Sequence, residues 1–185
     1  MVNIVDAAHL ERNLYLTLQL IELGVPLLID LNMNRYADGE GVIIDTKMLS
    51  RMFGVPVVRI EAIDNTVKDQ LIQEILGGAA ASTNTPHYSS EIEQHLTALA
   101  EMMPDHSRWD SIHFLIHGAP DKLPAKVKSE IEETRRHLSD IFGTTPQEIF
   151  ADQWYRYIAG ILHDAVHYHK DSGVARTSRN VLIGS

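Results

Sequence analysis

Cysteine is absent from the 185 residues, which removes disulfides and thiolate metal sites and leaves the redox compartment open. Positive charge is scarce as well: 16 Lys and Arg stand against 25 Asp and Glu, the net charge is −9, and no basic cluster offsets it. Such a surface repels polyphosphate backbones at long range, so a general nucleic-acid binder is excluded. A long apolar run is also missing. The richest stretch, residues 14–33, is broken by Glu22, Asp30 and Gly24-Val25-Pro26, and so falls short of the uninterrupted span of about 20 residues that a membrane helix needs. The opening MVNIVDAAHLER has no basic region followed by an apolar core, so it carries no secretory signal and a cytoplasmic chain is expected. There is no internal repeat and no low-complexity tract.

What is present is a 44% hydrophobic chain, ample for one ordinary domain or two small ones. Residues 2–5 read as a short buried strand, and Asp6-Ala7-Ala8 turns it into a helix in which Leu14, Leu18 and Ile21 recur at helical spacing. Leu16, Leu20 and Leu23 widen that stripe, which predicts a helix mostly covered by a sheet, and Gly24 ends it. Residues 25–31 then read as a central parallel strand interrupted only by Asp30. After Asn32 the run RYADGEG predicts a loop at the carboxyl end of that strand, where ligands of open α/β sheets sit. Asp45 caps a short helix with Met48, Leu49, Met52 and Phe53 inward and Gly54 as its stop. Residues 55–60 read as a third strand, and Thr66 with Asp69 as a capping box for a helix turning Val67, Leu71 and Ile75 inward.

Between residues 77 and 89, GGAAASTNTPHYS breaks the β-α rhythm and marks a boundary. Beyond it only amphipathic helices appear, carrying Ile92, Leu96, Leu99 and Met103, then Trp109, Ile112 and Ile116, then Val127, Ile131, Leu138 and Ile141. Thr145-Pro146-Gln147-Glu148 combines N-cap, first-turn proline and capping-box glutamate, and opens a last helix with Ile149, Trp154, Ile158, Ile161 and Leu162. The expected fold is α/β then all-α. A partial three-stranded parallel sheet with flanking helices (residues 1–78) precedes a small helical bundle (residues 79–170), with a flexible tail at 171–185.

The wording VDAAHLERNLYLTLQLIELGVPLLIDLNM and the run IDTKMLSRMFGVPVV resemble the second half of the GTPase domain of FeoB-type ferrous-iron transport proteins. RWDSIHFLIHG and FADQWYRYIAGIL resemble that family's cytosolic helical domain, so the resemblance covers nearly the whole chain. It implies GTP or GDP as cofactor. In the family, guanine is read by an Asn-Lys-x-Asp-type element, usually with Met second, and Asn32 and Met33 match it. Position 35, where the family's aspartate accepts two bonds from guanine, is Arg35, which offers only donors. The second base-reading element, a Ser-Ala pair, is Glu61-Ala62, and Ala62 keeps the backbone amide.

No G-x-x-x-x-G-K-[ST] run occurs in these residues and no Asp-x-x-Gly switch element stands ahead of Asn3, so nothing here is expected to cradle the β and γ phosphates or hold Mg²⁺. The resemblance therefore implies a truncated or split cytosolic region with a regulatory role in Fe(II) uptake, not competent for GTP hydrolysis alone. Its expected partners are a polypeptide supplying the missing GTPase half, a membrane transporter subunit, or a second copy meeting the apolar strand edge at residues 3–5. That would hold it at the inner face of the membrane without a span of its own.

A reading of a different class also stands: a stand-alone, non-enzymatic interaction module that binds a divalent metal through histidines near its end. In LHDAVHYHKD, His163 and His167 lie one helical turn apart with His169 beyond, and imidazoles on one face are ligands for zinc, nickel or iron. His113 and His117, beside Trp109, are expected on the bundle surface.

Overall fold

A computed structural model describes residues 1–60, 72–73, 75–77, 81–82 and 84–168. Strand β1 (Val2–Asp6) runs through a short 3-10 turn, Ala7–His9, into helix α1 (Leu10–Glu22). β2 (Leu28–Asn32), α2 (Asn34–Gly39), β3 (Val42–Ile44), α3 (Thr46–Phe53) and β4 (Val57–Arg59) follow. β1, β2 and β4 form a three-stranded parallel sheet with β2 in the middle, in the register Val2 to Leu28 and Ile29 to Val57. The two connections are helical crossovers, as parallel pairing requires.

The local signals explain these elements. The Asp6 carboxylate accepts from the Ala8 amide at 2.9 Å and starts the first turn, and the Asp45 carboxylate accepts from the Met48 amide at 2.9 Å to start α3. α3 ends at Gly54 with φ +63°, where a Cβ would lie 2.9 Å from the Ser82 hydroxyl. That closeness has a purpose. Ser82 donates to the Phe53 carbonyl at 2.6 Å and Asn84 Nδ2 donates to the Arg51 carbonyl at 2.8 Å, so the returning chain satisfies the last carbonyls of α3.

Helices α4 (Ser90–Met102), α5 (Arg108–His117), α6 (Ala125–Phe142) and α7 (Pro146–Ala165) form the bundle. The capping box at the start of α7 is present, with Thr145 and Glu148 bonding each other's backbone. α7 is the spine of the molecule: it packs on α5 and α6 and also on α1 and α3. Trp154 meets Tyr15 of α1 edge to face at 5.3 Å between ring centres and stacks on Trp109 at 6.3 Å. One continuous apolar core runs from Val5, Leu14 and Phe53 to Ile131, Phe150 and Ile158.

The structure corrects several expectations. Residues 35–41 are not a loop, because Asn34–Gly39 is a helical turn and a half that places Arg35 in its first turn. A second sheet was not anticipated: β3 pairs antiparallel with β5 (Val166–Tyr168), and the Asp45 amide donates to the Ala165 carbonyl at 2.8 Å. Three-residue strands are too short to show alternation. β2 begins at Leu28, not residue 25, since Gly24 and Pro26 keep the chain out of the ladder. Leu16, at 52% exposed, and Leu23 lie outside the buried stripe of α1, and Ile141 and Ile75 are likewise exposed. The expected helix from Thr66, with Asp69, Val67 and Leu71, lies outside the described residues except near its end, and so does the tail at 171–185.

Asp30 on the central strand is 95% buried, and its Oδ1 has no hydrogen-bond partner among the described residues. Burial pushes its pKa up to about 6, with the Ile60 amide pulling the other way. A carboxyl raised in the folded state weakens folding once it must ionise, so the cost is full above pH about 6 and fades as pH falls toward 3.8. Asp30→Asn is therefore expected to raise stability by about 1–3 kcal/mol near neutral pH, with the gain vanishing in acid. Urea unfolding across this range checks it, and a gain independent of pH would contradict it.

Candidate functional site

The carboxyl ends of β1, β2 and β4 lie together, with Asp6 beside Asn32 in the ladder and Leu31 beside Arg59. Asn32 ends the central strand by folding its side chain back, its Oδ1 accepting from the Met33 amide at 2.8 Å. Met33 then takes φ +60°, the only positive φ at a non-glycine among the described residues. A side chain there costs about 1–2 kcal/mol, which the following helix must hold in place. With Oδ1 engaged, the Asn32 amide group is left as the donor of that side chain. Asn32 therefore ends its strand through a side-chain turn.

Arg35 is exposed on the first turn of α2. Ala62 lies outside the described residues. Asp6 sits at the same end, bonded to His9 Nδ1 at 2.9 Å, and that bond holds its carboxyl below the usual range.

Three residues that sequence reading missed fix this end. Asn34 is buried and donates through Nδ2 to the Leu31 carbonyl, while its Oδ1 accepts from Arg59 Nε at 2.9 Å. Arg59 also donates to Asp38 at 2.8 Å, tying the last residue of β4 across to α2. No local spacing announces this chain of contacts, because Asn34 and Arg59 are 25 residues apart.

The predicted histidine site assembles differently. α7 ends at Ala165, so His163 lies on the helix and His167 on β5, and the shared helical face does not form. His163 is 87% exposed and pairs with Asp164 at 3.0 Å, and His169 lies outside the described residues. His163 instead lines a cavity of about 640 Å³ with His9, Arg12, Val42 and Tyr168. His113 and His117 are on the surface, their rings 4.5 Å apart.

Comparison with known proteins decides the family. The sequence profile described as "Ferrous iron transport protein B" matches residues 1–75, and the one described as "FeoB cytosolic helical domain" matches residues 88–167. The mGMPPNP-bound NFeoB from S. thermophilus is 32% identical, superposes with a TM-score of 0.76, and is matched over 92% of this chain and 68% of its own. This chain belongs to the FeoB family. NFeoB from S. thermophilus bound to GDP.AlF4- and K+ gives a TM-score of 0.77 at 30% identity, over 86% of this chain and 66% of that one. Among curated proteins, the Fe(2+) transporter FeoB of Escherichia coli (strain K12) is 30% identical over 76% of this chain and 20% of its own length. The FeoB chain thus spans about one fifth of the length of such transporters. The α/β-then-helical architecture is that of the NFeoB structures, and among the described residues no helix is long and apolar enough to cross a membrane.

The Asn34–Arg59 contact gives a direct check on how this end is held. Arg59→Ala strands a buried acceptor and is expected to destabilise the fold by about 1–3 kcal/mol. Asp38→Ala removes only an exposed partner and is expected to cost less than about 1 kcal/mol. Equal losses in chemical denaturation would contradict the assignment.

Proposed function

We propose that these residues supply the base-reading half of a guanine-nucleotide domain together with the helical domain that links it to a ferrous-iron transporter. Their role in Fe(II) uptake is regulatory, exercised at the cytoplasmic face of the membrane. The observation that carries this reading is the convergence of Asp6, Asn32 and Arg59 at one end of the sheet, beside an α2 whose first turn follows the family's base-reading position. Solved NFeoB relatives are described as bound to GDP.AlF4- or mGMPPNP, which supports a guanine nucleotide as the ligand class.

Asn32, Met33, Arg35 and Ala62 form the base-facing part of the site. The phosphate-gripping part comes from outside these 185 residues, either from another segment of a longer chain or from a second polypeptide, since no phosphate-loop run occurs among them. Phosphoryl transfer rests almost wholly on that loop, its lysine and Mg²⁺, so these residues alone do not hydrolyse GTP. The docking place is the free side of β1, the edge strand of the parallel sheet among the described residues, where Ile4 is 64% exposed. An unpaired edge of this kind templates another strand. Arg35 in place of an acceptor weakens guanine selectivity.

The test is phosphate release from GTP. The 185-residue chain is expected to give none above buffer. Adding a segment that carries a phosphate-binding loop is expected to start turnover, which Asn32→Ala then lowers at least tenfold. In the assembled protein Arg35→Asp is expected to widen the preference for GTP over ATP. Unaided turnover that Asn32→Ala abolishes would overturn the reading.

A further inference from the structure

We propose that Glu91, His95 and His137 form a binding site for one divalent first-row transition-metal ion, clamped between α4 and α6. Glu91 and His95 are four residues apart near the start of α4 and therefore share a face, and His137 reaches them from α6. One ligand atom from each of the three lies within 4.8 Å of the others. His137 Nε2 is 2.9 Å and His95 Nε2 is 3.4 Å from the same carboxylate oxygen, Glu91 Oε1. The two imidazole rings are 5.1 Å apart, inclined at 69°.

A tetrahedral ion with bonds of about 2.0–2.1 Å keeps its ligand atoms roughly 3.3 Å apart. The two histidine-to-carboxylate separations are already close to that, and rotation of the imidazole side chains would close the third, which is within 4.8 Å. Two imidazoles and one carboxylate are the donors that zinc, cobalt, nickel and ferrous iron take, whereas calcium and magnesium prefer an all-oxygen shell. The side chains of Glu91, His95 and His137 are 37%, 23% and 49% exposed, which leaves room for water as a fourth ligand.

Both rings address one oxygen, so a single cation placed there would be held by two imidazoles and the carboxylate together. Among the described residues no other three His, Asp or Glu side chains bring ligand atoms this close together. The site is independent of the nucleotide reading, because it lies wholly on the helical bundle.

The test is titration of the whole chain with Co²⁺, followed by its visible absorption, and with Zn²⁺ by calorimetry. One ion per chain is expected, with His95→Ala and His137→Ala each lowering affinity at least tenfold and His163→Ala leaving it unchanged. Saturating Zn²⁺ is expected to raise Tm in the parent and not in His137→Ala, because the ion joins two helices. Glu91→Gln keeps the hydrogen bonding and serves as the control for folding, and it too is expected to lose at least tenfold. Affinity that survives His95→Ala and His137→Ala, affinity that moves with His163→Ala, or no binding at millimolar metal would overturn the proposal.

Discussion

One buried carboxylate holds the two parts of this FeoB chain in a fixed relation. Glu22, at the last turn of α1, is fully enclosed and accepts from the Tyr88 hydroxyl, whose oxygen in turn accepts from Trp154 Nε1 at 2.8 Å. Arg108 at the start of α5 approaches Glu22 at 3.3 Å without hydrogen-bond alignment, clamps Glu93 of α4 at 2.8 and 2.9 Å, and lies 5.2 Å over the Tyr88 ring. Burial raises the Glu22 pKa, with Tyr88 and Arg108 pulling it back. Burial also works against the charge of Arg108, and Glu93 followed by Glu22 outweighs it. Glu93 therefore holds Arg108 through two hydrogen bonds, while Glu22 adds opposite charge and joins α1 to the bundle as the acceptor of Tyr88. Partners from α1, α4, α5 and α7 converge on this one enclosed place, which is why the joint is rigid.

That rigidity bears on the sheet's working end. α1 lies against both β1 and α7, and β3 is laddered to β5 at the far end of α7. The carboxyl ends of the three parallel strands are thus braced from behind, and the Asn34–Arg59–Asp38 contacts brace them from the side.

The elements with strong local signals were legible in the residues alone. The β1–α1–β2 unit announces itself by apolar runs and helical spacing, and the caps at Asp6, Asp45 and Thr145 stand where side-chain chemistry puts them. What stayed hidden depends on residues distant in sequence. Glu22 read as an interruption of an apolar run, yet it is the joint. Arg35 read as a loop residue because RYADGEG is polar, whereas α2 is held by the buried Asn34 more than by propensity. The histidines near the end drew attention through local spacing, but the cluster that the fold assembles joins Glu91 and His95 to His137, 46 residues beyond Glu91.

In the proposed assembly a base-reading half-domain, fixed on its helical bundle, offers β1 as the seat for the phosphate-gripping part. Hydrogen exchange along β1 tests this most directly. In the 185-residue chain, amides of residues 2–6 that do not bond to β2 are expected to exchange fast. Adding the phosphate-loop segment with GDP is expected to slow them at least tenfold, while α7 keeps its protection throughout. If β1 exchange is unchanged by that addition, or if α7 loses protection when β1 gains it, the account is contradicted.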